Sequence, residues 1–355
     1  MGKRLLFSVG VLVLLFGCRK DQIVQTPLQS TTPVAFPQPS NFPKASLPAD
    51  NPLTKEGIKL GRHLFFEKRL SGDNSQSCGS CHFQENNFAD PRQFSVGIDG
   101  SIGDRNAMIL SNLAWQSFFF WDGREQSMED QALKPVENPI EMKAHWPDVI
   151  EKLKADPYYQ EMFENAFGPN AITKENAAKA IAQFERMMVS SDSKYDQWKR
   201  GEYQFTQIEE DGYVIFNSEV GDCFHCHGDL NTGNIFGAYG DLQFSNNGLD
   251  SILKPNTGYE VVTLDSNDRA KFKIPSLRNV DYSFPYMHDG RFTTLQEVIE
   301  FYNTGGHVTY TTDPNMKAAG VGKNWSVYTK SALLAFLKTL SDDNFLNDTT
   351  FSDPW

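Results

Sequence analysis

The sequence predicts a mostly α-helical protein made of two repeated domains, with little β structure. Three observations carry this expectation. Apolar residues recur at three-to-four spacing in several stretches, sustained alternating patterns are scarce, and a set of short motifs returns in the same order in the second half. A chain of 355 residues, 39% of them hydrophobic, is long enough for two such domains with flanking segments.

The chain opens with a targeting pattern. Lys3 and Arg4 precede an apolar run over 5–16 that is too short to span a bilayer as a helix. It ends in Leu15-Phe16-Gly17-Cys18, which resembles the bacterial lipoprotein signal, so 1–18 is expected to be a leader whose removal leaves Cys18 lipidated. That places the mature chain on a periplasmic or other cell-envelope face, held to the membrane only through its lipid. Residues 19–50, rich in Thr, Gln, Ser and Pro and without apolar periodicity, read as a flexible tether.

The folded part is expected from about Asn51. Helices are read over 54–68 (Ile58, Leu60, Leu64, Phe65), 173–189 (Ala177, Ala180, Ile181, Phe184, Met188) and 331–340. Capping boxes pair Thr206 with Glu209 and Thr294 with Glu297. A helix with Leu64-Phe65 leads into Cys78-Gly79-Ser80-Cys81-His82, and one with Ile215-Phe216 leads into Cys223-Phe224-His225-Cys226-His227. Further on, Leu110-Ser111-Asn112-Leu113 matches Leu277-Arg278-Asn279-Val280, and Asp122-Gly123-Arg124 matches Asp289-Gly290-Arg291 at the same offset. Two homologous domains follow, 51–200 and 201–345, the second with a longer insertion.

Apart from Cys18, every cysteine belongs to a Cys-x-x-Cys pair followed directly by His. A disulfide framework has no need of those histidines, and neither a thioredoxin-like pair nor half a zinc site accounts for the same motif in two matched contexts. Two thiols that bond haem vinyl groups beside an imidazole that reaches the iron do account for it, so each domain is read as cytochrome c-like with one covalent haem c. Cys78, Cys81 and His82 hold the first, and Cys223, Cys226 and His227 the second. His225, inside the second motif, reads as a surface residue rather than a ligand. The formal charge of −12 and the lack of any basic block exclude nucleic acid as a partner.

At this point the chain resembles the bacterial di-haem cytochrome c peroxidases and their relative MauG. The residues that carry the resemblance are both haem motifs, Phe120-Trp121-Asp122-Gly123-Arg124, Gln131-Ala132, Asn138-Pro139-Ile140-Glu141-Met142, Pro275-Ser276-Leu277-Arg278-Asn279 and Tyr286-Met287-His288-Asp289-Gly290. The resemblance implies a peroxidatic first haem with Glu141 and Gln131 above its iron, the carboxyl moving a proton between the oxygens of peroxide. It implies that Trp121 relays electrons or holes between the haems. The repeat independently pairs Trp121 with His288, which is assigned to a haem propionate contact.

Two departures from the commoner pattern are expected to matter. Ile98, in Ser95-Val96-Gly97-Ile98, stands where many members have a ligating His, so the first iron should stay open. Tyr302 stands where Met is usual as sixth ligand of the second haem, as in MauG, and a phenolate lowers the potential relative to a thioether. The family's interdomain Ca²⁺ would use Asn106, Ser283 and Pro285. Three functions fit: a peroxidase reducing H₂O₂ with electrons from a small periplasmic protein, a MauG-like oxidase acting on residues of a protein substrate, and a passive electron-transfer cytochrome. Glu141, Gln131 and Ile98 disfavour the third, and peroxidase is placed first because it assumes least about a partner.

Overall fold

The computed structural model describes residues 31–228, 243–255 and 257–355; the leader, Cys18 and the first part of the tether lie outside them. The described chain is mostly helical, with one two-stranded sheet. The first half holds α1 (Lys55–Phe65), α2 (Met128–Glu137), α3 (Trp146–Lys154), α4 (Pro157–Phe167) and α5 (Lys174–Arg186). The second comprises α6 (Lys194–Lys199), α7 (Gln207–Phe216), α8 (Phe224–His227), β1 (Phe244–Ser245), α9 (Glu260–Thr263), β2 (Phe272–Lys273), α10 (Leu295–Thr304), α11 (Val327–Lys338) and α12 (Asp343–Leu346). The strands pair antiparallel, Phe244 opposite Lys273 and Ser245 opposite Phe272.

Local chemistry sets the helix starts. The Thr54 hydroxyl accepts from Gly57 N at 3.0 Å to open α1, and Thr173 accepts from Asn176 N at 3.2 Å to open α5. Both expected capping boxes form, at α7 and α10. The third expected helix begins earlier than 331 because Ser326 caps it, accepting from Thr329 N at 3.0 Å. Its first turn, with Tyr328, Thr329 and Lys330, is polar or exposed, so apolar spacing gives no sign of it.

The repeat is visible in how the helices cross. α1 packs on α5, and α7 packs on α11 in the same manner. A methyl group added to Gly61 would lie 1.9 Å from the Ala180 carbonyl oxygen, and one on Gly212 2.0 Å from that of Ala332. Each glycine lets two backbones touch, with Phe184 or Phe336 packed alongside. The turns repeat too: Asn112 and Asn279 both take positive φ, as do Phe120 and Met287 before the two Asp-Gly-Arg turns.

Two expectations about boundaries are corrected. Residues 31–50 do not behave as tether: Phe36 and Phe42 pack edge-on against Trp115, and the Trp115 indole donates to Pro43 O at 2.8 Å. Scattered aromatic anchors need no periodicity, which is why composition misreads this stretch. The division at 200 also shifts, because Tyr195 and Trp198 of α6 pack with Phe205, Tyr213 and Phe336 in the second core. Conversely, Phe345, Leu346 and Phe351 return to the first half and join Phe65, Phe88 and Phe184. Residues 31–355 therefore form one compact unit. Among the described residues, no helix is long and apolar enough to cross a membrane.

Candidate functional site

In the first half, Cys78 and Cys81 remain free thiols, both half-buried. Burial pushes both upward in pKa, with the nearby charges of Glu185 on Cys78 and Asp90 on Cys81 adding to it. His82 Nδ1 donates to Phe88 O at 2.5 Å, and a carbonyl can only accept, so this contact fixes the tautomer and leaves Nε2 as a Lewis base. Burial holds the imidazole neutral, the form that ligates iron.

α2 carries Gln131, and the turn after it carries Glu141. Gln131 and Pro135 share a helix face at i and i+4. After the helix ends, Asn138 Nδ2 donates to Glu141 Oε1 at 2.5 Å. Burial raises the Glu141 pKa against the opposing pull of Asn138 and Arg124, so this carboxyl holds its proton more tightly than an ordinary glutamate. The loop with Ile98 lies directly on this turn: Ile98 N donates to Glu141 O at 3.0 Å. Gly97 comes so near that a methyl there would sit 2.3 Å from Ile140 O.

In the second half, one cavity is lined by Cys223, Cys226, His227, Tyr302, Trp121 and His288. Both thiols are free, and burial pushes each up to about 12. His227 is bound by the Pro275 carbonyl and pushed down to about 4 by burial, hence neutral. The Tyr302 hydroxyl accepts from Asn247 Nδ2 at 3.3 Å, and burial pushes it up to about 12. Paired cysteines and neutral histidines fixed by carbonyls suit a covalent haem in each half; Cys78, Cys81 and His82 would hold one, Cys223, Cys226 and His227 the other.

Trp121 and His288 meet where the halves adjoin. Their rings stand edge to face at 6.5 Å, and His288 lies flat on Phe272 at 3.6 Å. The Trp121 indole donates to Asn106 O at 2.8 Å, while Asn106 N donates to His288 O at 2.9 Å. Asn106, Ser283 and Pro285 line this same cavity. His225 is not a surface residue, which corrects the sequence reading. It is buried with Nε2 at 3.0 Å from Asp222 and 3.3 Å from Glu219, and Lys317 already supplies these carboxylates with a cation.

Pro135 carries a meaning that only the matched helices reveal. The offset that relates the Asp-Gly-Arg turns also relates Ser127 to Thr294, each of which caps its helix, and hence α2 to α10. Along these paired helices Pro135 stands where α10 carries Tyr302. The sequence signal was present, but it needs the helix register to be seen.

A mostly helical chain with two such sites defines a c-type redox protein with two haems. A family model described as di-haem cytochrome c peroxidase matches residues 55–204. Cytochrome-c peroxidase IdrP1 of Pseudomonas sp. (strain SCT) is 32% identical over 338 residues, covering 88% of each chain. Methylamine utilization protein MauG of Methylorubrum extorquens is 33% identical, covering 86% of this chain and 83% of its own. The crystal structure of a MauG-like protein associated with microbial copper homeostasis superposes with a TM-score of 0.82 at 35% identity, over 91% of this chain and 99% of that one. The chain belongs to the di-haem cytochrome c peroxidase and MauG family, and it is a peroxidase-like, peroxide-using oxidoreductase with two c-type haems.

Proposed function

We propose that this protein reduces H₂O₂ at an open haem in its first half, with electrons passed from the second haem through Trp121. A haem held by Cys78, Cys81 and His82 would supply a binding place for peroxide and an electron source for splitting its O–O bond. The rest falls to the chain. The observation that carries the reading is the half-buried Glu141 carboxyl, oriented by Asn138 and overlain by the loop of Ile98. Glu141 accepts the proton from one peroxide oxygen and delivers it to the other, so that two electrons and two protons turn one H₂O₂ into two waters. Gln131, on the same helix face as Pro135, orients the peroxide. Neither Ile98 nor Pro135 offers an atom that ligates iron, which keeps the face free.

In the second half Tyr302 is assigned as the axial ligand and His288 as a propionate contact, and a Ca²⁺ beside Asn106, Ser283 and Pro285 would bridge the halves. The electron source would be a small periplasmic protein, with the chain tethered to the envelope by lipid at Cys18. A second reading, MauG-like oxidation of residues on a partner protein, is favoured by Tyr302, because a phenolate stabilises oxidised iron.

Electron paramagnetic resonance of the ferric protein tests the open site: one high-spin and one low-spin signal are expected, whereas two low-spin signals would overturn it. Glu141→Gln should slow peroxide turnover by roughly 10²–10⁴-fold with both haems still attached. Undiminished turnover would remove Glu141 from its role.

A further inference from the structure

Lys273 is a buried cation that meets no carboxylate among the described residues. Its residue is 7% exposed, and its Nζ donates to the neutral Gln116 Oε1 at 2.9 Å. Among the described residues it forms no ion pair, and burial alone depresses its pKa to about 8. An ammonium removed from water costs several kcal/mol unless a charge of opposite sign compensates it, and an amide oxygen does so poorly.

Its position shows where that anion would come from. Lys273 lines the cavity of the second haem motif. The other ammonium on that wall, Lys323, already lies 3.2 Å from Asp222, the one carboxylate of the lining. Lys273 N donates to Trp121 O at 2.8 Å, and the neighbouring Phe272 carries the stacked His288 ring, so β2 holds the ammonium beside the aromatic pair that joins the halves. A haem brings two carboxylates of its own, its propionates.

We propose that Lys273 is the counter-ion of a propionate of the second-half haem and fixes the rotation of that porphyrin, with its carboxylate edge turned towards Trp121. Ferric haem carries one more positive charge than ferrous, so a fixed ammonium nearby also makes that haem easier to reduce.

The test uses the haem-loaded full chain and the variants Lys273→Met and Lys273→Arg. Both should retain two haems per chain by haem stain. In a spectroelectrochemical titration the second haem's midpoint should fall in Lys273→Met and recover in Lys273→Arg, while the first haem's stays in place. An unmoved midpoint in a folded, two-haem Lys273→Met protein would overturn the assignment. If that variant does not fold, a crystal structure of the unaltered haem-loaded protein decides the matter. Nζ within hydrogen-bond reach of a propionate oxygen supports the proposal, and Nζ beyond it overturns the proposal.

Discussion

The α2 and α10 helices start alike, each from a hydroxyl cap shortly after an Asp-Gly-Arg turn, yet they carry different chemistry at one matched position. α10 carries the phenol of Tyr302; α2 carries Pro135, whose side chain has no atom to offer a metal. The halves differ again one layer deeper. In the helices that cross at Gly61 and Gly212, the residue that follows Phe184 is Glu185, whereas Phe336 is followed by Leu337. One scaffold thus carries a phenol at a position of α10 and a proline at the matching position of α2, and an acid in α5 where α11 has a leucine. Function in this pair lies in a few substitutions on a shared frame.

Exchanging the ligand is the strongest way to break the comparison. Tyr302→Met should raise the second haem's potential by a large part of the range that axial ligands span, about 0.8 V across haem proteins, and leave the first unchanged. An unshifted redox titration would deny Tyr302 a place on the iron.

Packing comes next. Gly61→Ala and Gly212→Ala each force a methyl against a carbonyl oxygen and should each cost at least about 3 kcal/mol in denaturant unfolding. A large loss from one and none from the other would mean that the two crossings are not equivalent.

An effect confined to a change of pH should come from Glu185. It is 4% exposed, its Oε2 has no hydrogen-bond partner among the described residues, and burial pushes its pKa up to about 8. The folded protein therefore binds this proton more tightly than the unfolded chain does. Its contribution is intact below about pH 4.5 and is lost as pH rises towards 8, by at most about 1.4 kcal/mol per unit. Glu185→Gln should flatten that decline in melting curves at pH 5 and pH 8. A decline that persists unchanged would place the titrating group elsewhere.

Much of this was legible in the sequence, for definite physical reasons. Thr54, Thr173, Thr206 and Thr294 announce their helices because a cap is a local interaction, and the paired thiols with histidine announce haem because few other chemistries need that spacing. Phe36 and Phe42 were missed because two isolated aromatics among prolines give no period, although Trp115 lies ready to receive them. Lys273, Glu185 and His225 were missed because charged side chains are solvated by default. Only the fold shows these to be covered. Pro135 needed the helix register before its partner in the repeat could be named.

The return of residues 343–355 to the first half bears on how the molecule is made. Phe345, Leu346 and Phe351 complete the apolar wall around Phe65 and Phe88, close to Cys78, and Arg62 is latched to Ser352 O at 2.7 Å. A nascent chain emerging from the ribosome or a translocon cannot close its first domain until this late segment has followed it out. The early Cys-x-x-Cys-His motif would then stay open to the haem-attaching machinery until residues 343–355 are made, and those residues would seal it.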